Sequence, residues 1–258
     1  MTKYMTATHW GAYQVEVENG QVSALTPFDH DPDPSPIGLG MPQALSDAVR
    51  IRQPMVRKAW LEKGRDQTGA TPTKGRGKGP FVAVSWERAW DLAADELERV
   101  RTTFGNQAIY AGSYGWGSAG RFHHPSSHLH RFMKCAGGYT DSINTYSFAA
   151  GEVVLPHVIG LGMFQQIELN TPLTMVAEHT ELLVSFGGIP MKNTQVDGGG
   201  TGKHSVKTDL LKCRDKGVRF VSFSPLKSDM ADFLVSEWQP LRPNTDTALM
   251  MGLAHELV

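Results

Sequence analysis

Two cysteines in 258 residues, Cys135 and Cys213, exclude a disulfide framework and a cysteine-ligated cluster, because neither stands in a C-x-x-C pair. A reducing compartment suits such a chain. No run of 18 apolar residues occurs, so a membrane-spanning helix is not expected. The start, MTKYMTATHWGAY, lacks the charged head and apolar stretch of a secretory leader and has no twin arginine. A cytoplasmic, soluble protein without membrane insertion is the expectation. Charge of one sign is also missing: 25 Lys and Arg against 26 Asp and Glu leave a formal charge of -1, which gives nucleic acid no reason to bind. What remains is an ordinary globular composition, long enough to bury roughly 75% of its unfolded surface.

Along the chain, Tyr13 to Leu25 alternates apolar and polar residues around Asn19-Gly20, a strong hairpin signal. Thr26 to Pro42 is rich in Pro, Asp and Gly and reads as an irregular connection. Gly64 to Pro80 reads as a second loop, whose Lys74, Arg76 and Lys78 fit either solvation or a phosphate. Phe81 to Val84 reads as a strand. Ser85 then caps an amphipathic helix with Trp86, Ala89, Trp90, Ala93, Leu97 and Val100 on the face expected to pack on a core.

Gln107 to Ala111 reads as a short strand running into GSYGWGSAGRFHHPSS (112–127), and His128 to Cys135 as the helix that leaves this loop. Glu181 to Phe186 and Val218 to Phe223 read as parallel strands joined by a helix over Ser205 to Lys216, with ligands expected at their carboxyl ends. Thr245 caps a last helix, Asp246 to Val258, that lacks a C-cap signal; a cut and a naturally docked end both fit.

Several chemistries compete for these features. His124 and His128 stand at i, i+4, and with His123 and His130 nearby a zinc site is one reading and packing histidines the other. DGGGTGKH (197–204) fails as a phosphate loop at Asp197 and His204, leaving a glycine loop over a ligand or a solvated turn. Ser147 and His157 raise a hydrolase reading, but G-x-S-x-G is absent.

Taken together, THWGAYQVEVENG, PMVRKAWL, FVAVSWERAWDLA, GSYGW, CAGGYTDSINTYS, LPHVIG, IPMKN and PNTDTALMMGLAHEL resemble, nearly end to end, the amino-terminal part of molybdopterin enzymes of the dimethyl sulfoxide reductase family. The likeness is to the S- and N-oxide reductase branch, close to biotin sulfoxide reductases. It implies an α/β fold: a small β-hairpin element (1–60), a molybdopterin-site region (61–175) and a Rossmann-like guanine dinucleotide region (176–258), together a truncated portion of a larger enzyme. It also implies molybdenum held by bis(molybdopterin guanine dinucleotide).

By the same resemblance Ser147, after Tyr146, is the protein ligand to the metal, a hard oxygen donor that a metal's charge ionises; a helix N-cap serine is the alternative. Tyr114 and Trp116 donate to the oxygen being transferred, an oxyanion-type role, and are otherwise aromatic core. Gly115 and Gly117 allow close approach, and Ser118 hydrogen-bonds the pterin. Pro190 and Lys192 from IPMKN, Ser224 and Pro225 from a strand end, and Asp246 complete the cofactor set, Lys192 beside a pyrophosphate and Asp246 equally a helix-capping residue. The implied reaction carries an oxygen atom from a sulfoxide or N-oxide to reduced molybdenum. Electrons come from a separate protein or a reduced nicotinamide.

The chain departs from the family's pattern at Thr145, where an Asp is usual, at Gly117, at Phe148 to Ala150, and over Leu161 to Pro172. A non-reductive hydroxyl transferase of the phenol transhydroxylase kind, with His123 or His124 in acid-base work, and a cofactor-free binding module are the other implied readings.

Overall fold

The computed structural model describes residues 2–63, 77–113, 124–145, 147–197 and 200–258. These fall into two compact units, one of residues 2–42, 124 and 143–258, the other of 43–113 and 125–142. No described helix is long and apolar enough to cross a membrane.

The first unit opens with an antiparallel sheet of β1 (Thr2–Thr8), β2 (Gly11–Glu18) and β3 (Gln21–Pro27), in that order. The β2–β3 hairpin turns where the alternation predicts. Asn19 and Gly20 both have positive φ, 51° and 76°, the backbone of the two-residue turn whose twist matches that of its strands. β1 lies outside the expected hairpin and pairs with β2 from Gly11 to Val17.

The proline-rich stretch after β3 is irregular over 28–35, as its composition implies, but does not stay so. Pro36–Gly40 forms a 3-10 turn, and Ser35 caps it by accepting the Ile37 amide at 3.3 Å. The Tyr13 hydroxyl, from β2, donates to the Ser35 carbonyl at 2.8 Å. Tyr13 and Ser35 are each 1% exposed. Burial and hydrogen bonds that composition does not reveal order this segment. α1 (Met41–Ser46) follows it.

In the second unit β4 (Met55–Arg57) leads directly into α2 (Lys58–Lys63) and pairs antiparallel with β5 (Phe81–Ala83). α3 (Trp86–Phe104) begins as expected, the Ser85 hydroxyl accepting the Arg88 amide at 3.1 Å. Its apolar face is buried unevenly: Ala89, Leu97 and Val100 are half-buried, whereas Trp86 and Trp90 are 59% and 61% exposed among the described residues. The strand expected at Gln107 to Ala111 is instead a 3-10 turn, Asn106–Ala108, followed by one parallel bridge from Tyr110 to Thr140. The Asn106 side chain donates to the Ala136 and Gly138 carbonyls at 3.0 and 2.8 Å, and this tie holds the chain in a turn. α4 (Pro125–Cys135) starts three residues earlier than the His128 of the prediction, with proline in its first turn.

The first unit resumes with α5 (Ala149–Ile159), α6 (Met163–Glu168) and α7 (Leu173–His179). A parallel sheet then forms in the order β6 (Leu182–Phe186), β7 (Arg219–Ser224), β8 (Glu237–Pro240), with α8 (Met191–Thr194) and α9 (Val206–Asp215) between β6 and β7, and α10 (Asp246–Leu257) last. Side chains of β7 alternate: Phe220, Ser222 and Ser224 are buried, whereas Arg219, Val221 and Phe223 are not. The buried face meets Ala177 of α7 and Leu210 and Cys213 of α9, and Val218, Met230 and Leu234 complete the core.

Candidate functional site

The sheet β6-β7-β8 is wholly parallel, so its three carboxyl ends lie along one edge. In open sheets of this kind ligands bind outside such an edge. At the end of β6 the Gly187 amide donates to the Phe223 carbonyl at 2.9 Å, and Ile189 bridges to Met230. Pro190 then stands at the N-cap position of α8, which carries Lys192. The edge therefore places Pro190 and Lys192 immediately beyond β6, and Ser224 and Pro225 at the end of β7.

The four are not equally available. Ser224 is fully buried; its hydroxyl donates to the Asp229 carboxylate and accepts the Leu226 amide at 3.3 Å. Its carbonyl accepts the Trp238 indole N–H at 2.9 Å. Ser224 thus shapes the turn from Pro225 to Asp229 and offers no free hydroxyl, whereas Pro225 is exposed. Asp246 is the first residue of α10 behind Thr245, whose own hydroxyl donates to the Arg242 carbonyl at 2.6 Å instead of capping the helix.

Ser147 is exposed two residues ahead of α5, whose N-cap is Phe148. Its amide donates to the Thr145 hydroxyl at 3.0 Å. It is therefore not a helix N-cap, and its hydroxyl is not committed to a described residue. Tyr146, Tyr114, Trp116 and Ser118 lie outside the described residues, as do Gly115, Gly117 and His123. Among the described residues no group of three or more His, Cys, Asp or Glu is arranged to hold a metal ion.

Sequence reasoning missed the most buried ionic contact of the first unit. Asp31 and His204, 173 positions apart, meet with Asp31 Oδ2 and His204 Nδ1 2.6 Å apart and side chains 1% and 2% exposed. The His204 amide donates to Asp31 Oδ1 at 3.0 Å, and His204 Nε2 lies 3.1 Å from the Gln195 carbonyl. Gln195 donates to the Asp33 carbonyl at 2.9 Å, and Lys207 pairs with Asp33 at 3.1 Å. The Asp197 amide donates to the His9 carbonyl at 2.8 Å, and the Thr201 amide to the Thr8 carbonyl at 3.3 Å. The glycine loop is thus anchored at both ends. No local pattern marks either partner; only Asp31 among prolines and a histidine closing a glycine loop would have drawn attention.

Burial pushes the Asp31 carboxyl upward, but the His204 amide and ring and the Asp33 amide outweigh it and hold the group below the usual carboxylate range. A depressed folded-state value adds stability above the unfolded value and loses it as pH falls. Asp31→Asn is therefore expected to lower stability by about 3–5 kcal/mol near pH 7, since it leaves a buried partner unpaired. The difference from the parent shrinks as pH falls through the carboxylate range, which urea unfolding at several pH values measures. A pH-independent difference would mean that the loss is one of packing.

The sheet edge, the exposed serine before a helix and the loop at β6 all lie within the residues that one family model matches, and a second model matches the N-terminal sheet. The molybdopterin oxidoreductase model matches residues 50–258 and that family's N-terminal domain model matches residues 6–45. The chain belongs to the molybdopterin oxidoreductase family. Among curated proteins it is 45% identical to a biotin sulfoxide reductase of Cereibacter sphaeroides over 91% of this chain and 31% of that protein. It is 37% identical to a dimethyl sulfoxide/trimethylamine N-oxide reductase of Rhodobacter capsulatus over 98% of this chain and 30% of the relative. The chain therefore spans about 30% of the length of these relatives. A solved structure of acetylene hydratase from Pelobacter acetylenicus matches in fold, with a TM-score of 0.52 at 15% identity over 97% of this chain and 31% of that one.

Proposed function

We propose that this chain forms part of a molybdenum-dependent reductase acting on sulfoxides or N-oxides, with bis(molybdopterin guanine dinucleotide) as cofactor. The observation that carries the reading is Ser147: an exposed hydroxyl without a described partner, outside its helix cap, in a chain of this family. The donor set fits. An alkoxide is a hard oxygen ligand suited to a high-valent metal, and the β6 loop offers Lys192 to a pyrophosphate.

When bound, the cofactor supplies the two-electron chemistry of oxygen-atom transfer. The chain's own groups do the rest. Ser147 holds the metal through its oxygen. Tyr114 and Trp116 donate O–H and N–H to the substrate oxygen and stabilise the charge that grows on it, an effect worth about 2.7–4 kcal/mol per donor in comparable sites. Ser118 fixes the pterin. Lys192 would meet one diphosphate with its ammonium, Pro190, which has no N–H to donate, would shape the loop beside it, Ser224 would set the course of the Pro225 turn, and Asp246 would accept from the nucleotide. The names of the relatives favour biotin sulfoxide, dimethyl sulfoxide and trimethylamine N-oxide as substrates, the resemblance adds methionine sulfoxide, and electrons are delivered by a separate donor.

Protein purified at its natural length from molybdate-grown cells is expected to carry about one molybdenum per chain and to reoxidise a reduced viologen dye only when a sulfoxide or N-oxide is added. Metal-replete protein that leaves the dye reduced with every S- and N-oxide, yet moves hydroxyl groups between phenols, would replace this reading with the non-reductive one. Metal-free protein would point to the binding module.

A further inference from the structure

Both nitrogens of the His204 ring face acceptors. Nδ1 is 2.6 Å from Asp31 Oδ2 and Nε2 is 3.1 Å from the Gln195 carbonyl oxygen. A neutral imidazole has one donor and one acceptor, so either neutral form would turn a lone pair on an oxygen lone pair. Two hydrogens are needed between the ring and its neighbours. A protonated Asp31 would supply the second, but Asp31 Oδ1 also accepts the amides of His204 and Asp33 at 3.0 and 3.2 Å, contacts that favour the ionised carboxylate.

We propose that the Asp31–His204 pair is a charge-dependent bolt: His204 is held as an imidazolium that donates from both nitrogens, and only in that form does it fasten the loop after α8 to the N-terminal segment. The hydrogen bonds close a circuit. His204 joins Asp31 and Gln195, and Gln195 returns through its side-chain amide to the Asp33 carbonyl and carboxylate at 2.9 and 3.2 Å. Gln195 directly follows α8, so the circuit fixes the far end of the loop whose near end leaves β6. That consequence holds whatever the β6 edge binds.

Among the described residues other ionisable groups also pack near the pair. Tyr13 approaches from β2, its own phenol pushed up by burial and also by the Asp31 charge. Asp33 lies along the N-terminal segment, paired with Lys207 of α9. Loss of one ring proton would remove the Gln195 contact or the Asp31 contact and leave two acceptors face to face in a buried place, a cost the loop escapes by detaching.

The test is a two-bond 1H–15N correlation spectrum of the uniformly labelled chain at about pH 7.5, where an unperturbed imidazole is mostly neutral. One histidine of the ten is expected to show both ring nitrogens protonated. Its assignment comes from through-space transfer between its Cε1 proton and Gly11, which that atom closely approaches. In Asp31→Asn the same ring is expected to lose its second proton, because an amide offers a donor where the ring needs an acceptor. A His204 ring with a single proton in the unmodified chain overturns the proposal, and this measurement needs no variant to fold.

Discussion

Replacing Ser147 with alanine is expected to abolish oxygen-atom transfer in the molybdenum-loaded protein and to change its visible absorption bands. Disturbing only the surroundings of a metal ligand typically costs about 10–100-fold. Removing the ligand oxygen itself should exceed that range. The structure separates this effect from a folding defect. Ser147 is exposed, its only described hydrogen bond is made by its backbone amide, and alanine keeps that amide. Thermal unfolding of the metal-free chain should therefore move by no more than the roughly 0.5 kcal/mol of an ordinary surface change. Unchanged bands with full molybdenum content would place the ligand elsewhere in the chain. Ser147→Cys provides the positive control: a softer thiolate should retain the metal with shifted bands.

Where periodicity and turn chemistry act within a few residues, the sequence is readable. The Asn19-Gly20 turn, the Ser85 cap, the strand at β7 and the helix over Val206–Asp215 all rest on such local rules. The parallel pairing of β6 with β7 was readable too, because two apolar runs separated by a helix have few other ways to share a sheet. Failures came where distant residues decide. Nothing near Asn106 announces that its amide reaches the Ala136 and Gly138 carbonyls, and that reach turns an expected strand into a turn. The proline-rich segment is better ordered than its composition says, because Asp31 and Ser35 take their partners from the loop before α9 and from β2.

The site was legible to a different degree. Local pattern alone leaves Ser147 divided between a ligand and a cap, and leaves Tyr114 and Trp116 divided between donors and core. Only the resemblance carried by the ensemble of spaced motifs proposes a choice among these, since each is weak by itself. For Ser147 the structure removes the cap alternative by assigning that position to Phe148. For Ser224 it adds what no motif conveys, a hydroxyl already spent on Asp229. The apolar face of α3 shows the converse: its period is correct, but period alone does not say that Trp86 and Trp90 stay open among the described residues while Leu97 and Val100 are half-buried.

Gly188→Ala is expected to be the most damaging conservative change at the sheet edge, and Gly187→Ala calibrates it. Both glycines have positive φ, 92° at Gly187 and 76° at Gly188, so each alanine bears the strain of a left-handed backbone, about 1–2 kcal/mol. They differ in space. A Cβ on Gly187 meets nothing within 4 Å, whereas one on Gly188 would lie 2.2 Å from the Asp229 carbonyl oxygen. That atom is backbone and cannot rotate aside, and Asp229 is tied by its carboxylate to the Ser224 hydroxyl at the end of β7. Relief therefore requires the turn after β7 to move away from the end of β6. Overpacking of this kind adds about 1–3 kcal/mol, so Gly188→Ala should lower the thermal midpoint by several degrees more than Gly187→Ala, at about 2–4 °C per kcal/mol for a chain of this size. Equal losses in the two variants would show that the β6 and β7 ends are not in the close contact on which the shape of the proposed nucleotide edge depends.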